Sequence, residues 1–349
     1  MGGTILFAYN LSESDNQFVQ IHIRMLEELG YEVTASLDEF WYPTKSYNIL
    51  VINWPDYFFG WNINISDEEV TELNKTLNSW KQSKTKIFTF LHDEYSHFGR
   101  GANLNLLFDL CYSKSDILIH LGDYSKKKYS DLYPDAQHHI VHHPLYTDFQ
   151  TDLERHVARK QLGISEKVHL VFVPGGIRKT EEIDYCIRVF RKLPAKNKRM
   201  IFQKTNFLAK PQSLKNFIDL KVWVYFLLHT CKFNFLENIF FLQGFMKKEK
   251  LSAYFAASDL IIIPRTDILN SGNIILAAQF GKRIIGTGQG NMNELLTFLE
   301  QPVCSSEAIA ALINPIQYSA LVGKSLQLKI EEFSGHAMVK NQWKQLLHL

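Results

Sequence analysis

Short apolar runs rich in β-branched residues alternate with amphipathic stretches along most of the chain, a pattern that predicts strands and helices in turn. Thr4 to Ala8 reads as a buried strand, Tyr9 to Asn16 as a polar loop, and Gln17 to Leu29 as a helix stopped by Gly30. Tyr31 to Ala35 follows as a second strand, which makes a βαβ opening. Further strands are predicted at Ile49 to Asn53, Lys86 to Leu91, Ile117 to Leu121 and His138 to His143. Helices are predicted at Ser66 to Ser83, Asn103 to Tyr112 and Tyr124 to Leu132. The same rhythm resumes after Tyr146 to Leu153. There, strands at Val168 to Val173, Arg199 to Phe202, Asn238 to Leu242, Leu260 to Ile263 and Arg283 to Gly286 alternate with helices. Those helices include Leu153 to Leu162, Glu181 to Leu193, Lys247 to Ala257 and Asn273 to Phe280. Glu307 to Ile313, Leu321 to Phe333 and His336 to Leu349 read as terminal helices. Strand and helix alternating in both halves predicts an α/β chain of two doubly wound Rossmann-like domains facing a cleft, 1–150 and 151–330.

Composition narrows the class. With 349 residues, 46% of them hydrophobic, the chain can bury two ordinary cores. The net charge of +2 carries no signature of nucleic-acid binding. Cys111, Cys186, Cys231 and Cys304 form no CxxC pair, so reduced thiols in a cytoplasmic protein are expected. The start, MGGTILFAYN, runs straight into a strand without the charge-then-apolar layout of a signal peptide. No apolar run reaches the length of about eighteen residues needed to span a bilayer. The aromatic stretch Leu220 to Leu228, inside Pro211 to Phe235, reads either as a buried helix or as a segment lying on a membrane surface. The first βα loop lacks GxGxxG, which disfavours a dinucleotide site.

The densest chemistry lies between Ala256 and Leu296. A buried strand closed by Pro264 leads through a polar loop to Asn270-Ser271-Gly272-Asn273, at the start of an apolar helix ended by Gly281. Outward-facing N–H groups and the helix dipole suit such a junction to a diphosphate, while an ordinary N-cap by Ser271 or Asn270 is the competing explanation. Upstream, the strand 168–173 ends in Pro174-Gly175-Gly176-Ile177-Arg178-Lys179, where glycines allow a ligand to approach the backbone. In the first half, His92-Asp93-Glu94-Tyr95-Ser96-His97 follows a strand, at the end where open α/β sheets bind ligands. Two imidazoles and two carboxylates there suit general-base chemistry, against a plain polar helix cap. Lys126 to Lys128 reads as a solvated face. His142 and His143, as strand neighbours, point to opposite faces and do not suggest a metal pair.

The series Ser271-Gly272, Ile274 to Ala278, Phe280-Gly281, Lys282-Arg283, Ile284-Ile285, Gly288 and Glu294 resembles the donor-binding half of GT-B glycosyltransferases. It is most similar to bacterial group 1, or family 4-like, enzymes. Gly244-Phe245 leading to Tyr254 to Ala256 and Asp259 fits the same series. In the first half, Asn53 to Tyr57 and His142 to Tyr146 match the family's "HWPE" and "PHG" elements by position. The resemblance implies transfer of a hexose from a nucleotide diphosphate sugar to a glycan or lipid-linked acceptor, in surface polysaccharide synthesis. It also implies no cofactor and no metal, and a place in the cytoplasm, peripheral at the inner face of the membrane. The N-terminal domain would bind the acceptor, the C-terminal domain the nucleotide sugar, and 331–349 would return to the N-terminal domain. Gly175, Gly176, Arg178, Lys204, Asn270, Ser271, Gly272, Asn273 and Glu294 would bind the donor, and Asp93 would be the base, with Glu94, His92 and His97 as competitors. Two positions depart from the family pattern. Glu181-Glu182 stands where its Lys-Gly falls, a charge reversal beside the diphosphate, and Leu276 replaces an acidic residue, with Asp267 only near the other. Two alternatives stay open, a sugar-nucleotide epimerase, which uses a similar two-domain fold without an acceptor, and a non-catalytic nucleotide-sugar-binding subunit, suggested by Glu181 and Leu276.

Overall fold

The computed structural model describes residues 2–11, 17–96, 99, 101–205, 233, 237–242, 246–266, 268–303 and 320–348. The expected elements at 211–235, 243–245 and 307–313 lie outside the described residues, apart from Phe233. So do His97 and Asp267. The chain divides into two compact units, Met1–Thr147 with Ile268–Asn270 and Glu331–Leu349, and Asp148–Asp267 with Ser271–Ile330.

The first unit is built on β1 (Thr4–Phe7), α1 (Gln17–Glu28), β2 (Glu32–Ala35), α2 (Leu37–Trp41), β3 (Ile49–Ile52), α3 (Asp67–Gln82), β4 (Lys86–Leu91), α4 (Ala102–Lys114), β5 (Ile117–His120), α5 (Asp123–Ser130) and β6 (Gln137–Ile140). Its strands pair in parallel in the order β2-β1-β3-β4-β5-β6. Both faces are covered, as an all-parallel sheet requires, and the two-residue period divides the side chains between two cores. Ile5, Phe7, Ile49 and Val51 enter one core with α1. Leu6, Leu50 and Ile52 enter the other with α2, α3 and α4. Ser66 and Glu69 close a capping box that fixes the start of α3.

Two local elements depart from the pattern-based expectation. Ser36 caps the short α2 through the Glu39 N–H, and Pro55 opens a 3-10 turn, Pro55–Phe59, rather than simply ending β3. Both are too short for periodicity to register. Lys128 is exposed, as a solvated face requires, and it also donates to Glu94 at 2.6 Å.

The second unit continues with α6 (Arg155–Leu162), β7 (His169–Ile177), α7 (Thr180–Lys192), β8 (Lys198–Thr205), β9 (Ile239–Phe241), α8 (Lys248–Ala257), β10 (Leu260–Ile263), α9 (Gly272–Gln279), β11 (Arg283–Gly286) and α10 (Gly290–Phe298). Its parallel sheet runs β11-β10-β7-β8-β9 among the described residues. Asp259, just before β10, anchors this unit. Its carboxylate accepts from Arg159 Nη2 at 2.6 Å, Arg155 Nε at 3.0 Å and the Leu170 N–H at 2.7 Å. Lys282 donates to the Ala256 carbonyl and so caps α8, and burial lowers its pKa to about 8. The helix α11 (Ala320–Ser334) leads to α12 (His336–Leu347), which belongs to the first unit. There Trp343 is fully buried, and its indole N–H donates to His22 Nδ1 at 2.8 Å. No helix among the described residues is long and apolar enough to cross a membrane.

Two strands run past their expected ends. β7 passes through Pro174-Gly175-Gly176, and β8 reaches Thr205, so Lys204 lies within the strand, opposite Gly176, rather than after it. The register slips between Val173 and Gly176. That bulge lets a strand absorb a Pro-Gly-Gly run that would otherwise end it.

Candidate functional site

The strand order locates a site in the second unit. From β7 the chain builds outward through β8 and β9, then returns to place β10 on the other side of β7. The carboxyl ends of β7 and β10 therefore flank the topological switch point, where loops diverge and leave a crevice for a ligand.

Three segments meet there. The first is the β7 bulge, where Gly175 has φ +81, a left-handed conformation that favours glycine. Its N–H, displaced from the ladder, donates to Gln203 Oε1 at 2.6 Å. The second is Arg265, two residues after β10. The third is the start of α9. A Cβ built on Gly175 would lie 2.8 Å from Arg265 Nη2 and 2.9 Å from Asn273 Nδ2, so both side chains reach the bare backbone of the bulge.

At α9, Ser271 occupies the N-cap with no side-chain cap bond, and its carbonyl accepts the Ile274 N–H at 3.1 Å. The simple cap explanation therefore does not hold for Ser271. The Asn270 amide donates to the His92 carbonyl at 2.6 Å within the first unit. Gly272 begins the helix and is not among the glycines with positive φ. Arg178 sits exposed just past β7, while Gly176 lies in β7 itself and Glu294 in α10.

The charge reversal at 181–182 resolves into two different residues. Glu181 is exposed. Glu182 is buried, and its carboxylate accepts from Arg265 Nη1 at 2.9 and 3.1 Å and from the Arg178 N–H at 2.9 Å. Arg265 and Gln203 were not among the residues expected from sequence. The only signal for Arg265 was a cation directly after a strand-ending proline.

In the first unit, His92 and Asp93 follow β4. Asp93 Oδ2 lies 3.2 Å from His92 Nδ1, with side-chain exposures of 5% and 16%. The carboxylate is thus set back, and the imidazole is the more accessible partner. The His92 ring is held between Phe18, edge-on at 5.2 Å, and Trp54 at 5.3 Å. Tyr112 donates its hydroxyl proton to the Asp93 carbonyl. Glu94 is tied to Lys128. Nearby, the Asn53 carboxamide at the end of β3 is buried and has no hydrogen-bond partner among the described residues. His142 and His143 turn to different neighbours, His142 stacking on Phe333 and His143 meeting Phe18 edge-on. Burial lowers the pKa of His143 to about 3.

No family model matches the chain, and no curated protein matches its sequence. Solved structures do match its whole length. Sucrose-phosphate synthase from Thermosynechococcus elongatus superposes with a TM-score of 0.68 at 13% identity, covering 100% of this chain and 98% of its own. HepE from Anabaena, in complex with UDP-glucose, gives 0.66 at 15% identity over 99% of each chain. The catalytic domain of starch synthase IV from Arabidopsis thaliana, bound to ADP and acarbose, gives 0.67 at 10% identity over 100% of this chain and 99% of its own. At such identities a likeness carries architecture, and the chain is a protein of the GT-B fold, the fold of these glycosyltransferases.

Proposed function

We propose that the protein is a glycosyltransferase that takes a sugar from a nucleotide diphosphate sugar. The observation that carries this reading is the meeting of the β7 bulge, Arg265 and the start of α9, where Ser271 makes no side-chain cap bond, at the switch point of the second sheet. A leaving diphosphate carries negative charge that grows in the transition state. Guanidinium, amide and helix N–H donors fixed beforehand lower that barrier. Gly175, Gly176, Arg178, Lys204, Ser271, Gly272 and Asn273 make up the proposed donor site, with Glu294 as the candidate for the ribose. These donors take the place of a metal ion, and no cofactor takes part. The neighbouring structures with UDP and UDP-glucose make UDP-sugars the first donors to try.

In the first unit, His92 is the proposed general base, with Asp93 behind it. Because Asp93 occupies Nδ1, Nε2 is the nitrogen placed to accept the acceptor's proton, and the carboxylate fixes the tautomer and stabilises the imidazolium. The acceptor in this reading is a glycan or a lipid-linked sugar.

The test is a thermal-shift screen of nucleotide sugars, followed by product analysis with and without glycan acceptors. A shift for one donor and a product that forms only with acceptor support transfer. A donor converted without acceptor indicates an epimerase, and binding without any conversion a non-catalytic subunit.

A further inference from the structure

We propose that Arg265 is the cation that grips the donor's diphosphate and that Glu182 is its positioning residue. This rests on the reading of the second unit as the donor site. Arg178 and Lys204 are the cations that the chain pattern offers for that task, yet the guanidinium built into the crevice is that of Arg265. Its side chain is only 5% exposed, and that of Glu182 only 4%.

A buried ion pair is poor value for stability, because desolvating two charges offsets their attraction and apolar replacements are often neutral. Its position at the switch point accounts for it better. One edge of the guanidinium is committed, since Nη1 donates to both carboxylate oxygens of Glu182. The other edge reaches Gly175, with Nη2 2.8 Å from where a Cβ would stand, and Asn273 Nδ2 arrives at the same point from α9. With a carboxylate behind and N–H groups in front, the pair is a dipole whose positive end faces the bulge. The Glu182 carboxylate also accepts the Arg178 N–H, which ties the segment after β7 to the same fork. Glu182, which stands where the family pattern has the glycine of its Lys-Gly, therefore holds an arginine supplied from the end of the neighbouring strand β10. A held planar fork loses little side-chain entropy on binding two phosphate oxygens, which an exposed side chain such as that of Arg178 cannot match.

Calorimetric titration tests this. The wild-type protein is titrated with UDP, GDP and ADP, and the nucleotide that binds is compared with its monophosphate and its nucleoside. Arg265→Lys keeps the buried charge pair but loses the fork. Arg265→Met combined with Glu182→Gln removes both charges, so neither is left buried alone. Each variant is expected to lose about ten- to hundredfold in diphosphate affinity, the value of one or two charged hydrogen bonds, with nucleoside affinity within about twofold. Glu182→Gln alone should lose less. Combined with Arg265→Met it should add nothing to the loss, because Glu182 acts through Arg265. Folded variants that bind the diphosphate as wild type does overturn the assignment. A wild-type protein that binds none of the three nucleotides overturns instead the donor-site reading beneath it.

Discussion

Gly175→Ala probes the bulge most directly. At φ +81, a residue with a Cβ pays about 1–2 kcal/mol for the left-handed conformation. The new Cβ would also stand 2.8 Å from Arg265 Nη2 and 2.9 Å from Asn273 Nδ2, closer than ordinary contact. A surface arginine would swing aside at little cost. Arg265 is held by Glu182, so moving its guanidinium stretches a charged hydrogen bond worth about 1.5–3 kcal/mol. The expected loss is therefore about 3 kcal/mol, or roughly 6–12 °C in the melting of a unit of this size. Gly163→Ala is the matched control. Gly163 ends α6 at φ +64 with no atom within 4 Å of its Cβ position, so it pays the backbone cost alone. Scanning calorimetry reads both stabilities, and titration with a nucleoside diphosphate reads the site. Gly175→Ala should lose stability beyond Gly163→Ala and lose diphosphate affinity, while Gly163→Ala should keep that affinity. Equal destabilisation of the two with binding intact would refute the crowding argument and the placement of Arg265 over the bulge.

Other predictions follow from the same geometry. His92→Gln should lower transfer by about two to four orders of magnitude while donor affinity, carried by the second unit, stays unchanged. Asp93→Asn should lower transfer too, with the fold intact by circular dichroism, and full activity in either variant would remove the pair from the mechanism. Trp343→Ala should cost the first unit about 3–5 kcal/mol by denaturant melting, because it empties a fully buried site and strands His22 Nδ1. His120 and His143 have pKa values lowered to about 3 by burial, against 6.5 in an exposed chain. The unfolded state then binds more protons below pH 6.5, so melting temperature should be flat above neutrality and fall as pH drops from about 6.5 toward 3. EDTA should leave transfer unchanged, and loss of activity restored by a divalent cation would sink the proposed metal-free stabilisation of the diphosphate.

The architecture was legible in the chain because parallel strands buried on both faces, such as Leu260–Ile263, can only read as continuous apolar runs. Glycine stops at 30 and 281 were legible for a similar reason, since each takes a positive φ that few other residues tolerate. The switch-point site was legible in part, through Gly175 and the Ser271–Asn273 junction. Its charges were not. Glu182 reads as a misplaced carboxylate next to a phosphate site until Arg265, 83 positions away, closes on it. Asn270 reads as part of the α9 junction until its amide is found on the His92 carbonyl, 178 positions away. That the His92 side chain is more exposed than that of Asp93 was equally invisible, because adjacent residues differ in exposure only once Phe18, Trp54 and Tyr112 pack around them. Periodicity reports which face of an element is buried, a local property set by 2.0 or 3.6 residues per repeat. Pairing of charges and the exposure of one side chain against its neighbour are set by strand order and loop packing, and these exist only in the folded chain.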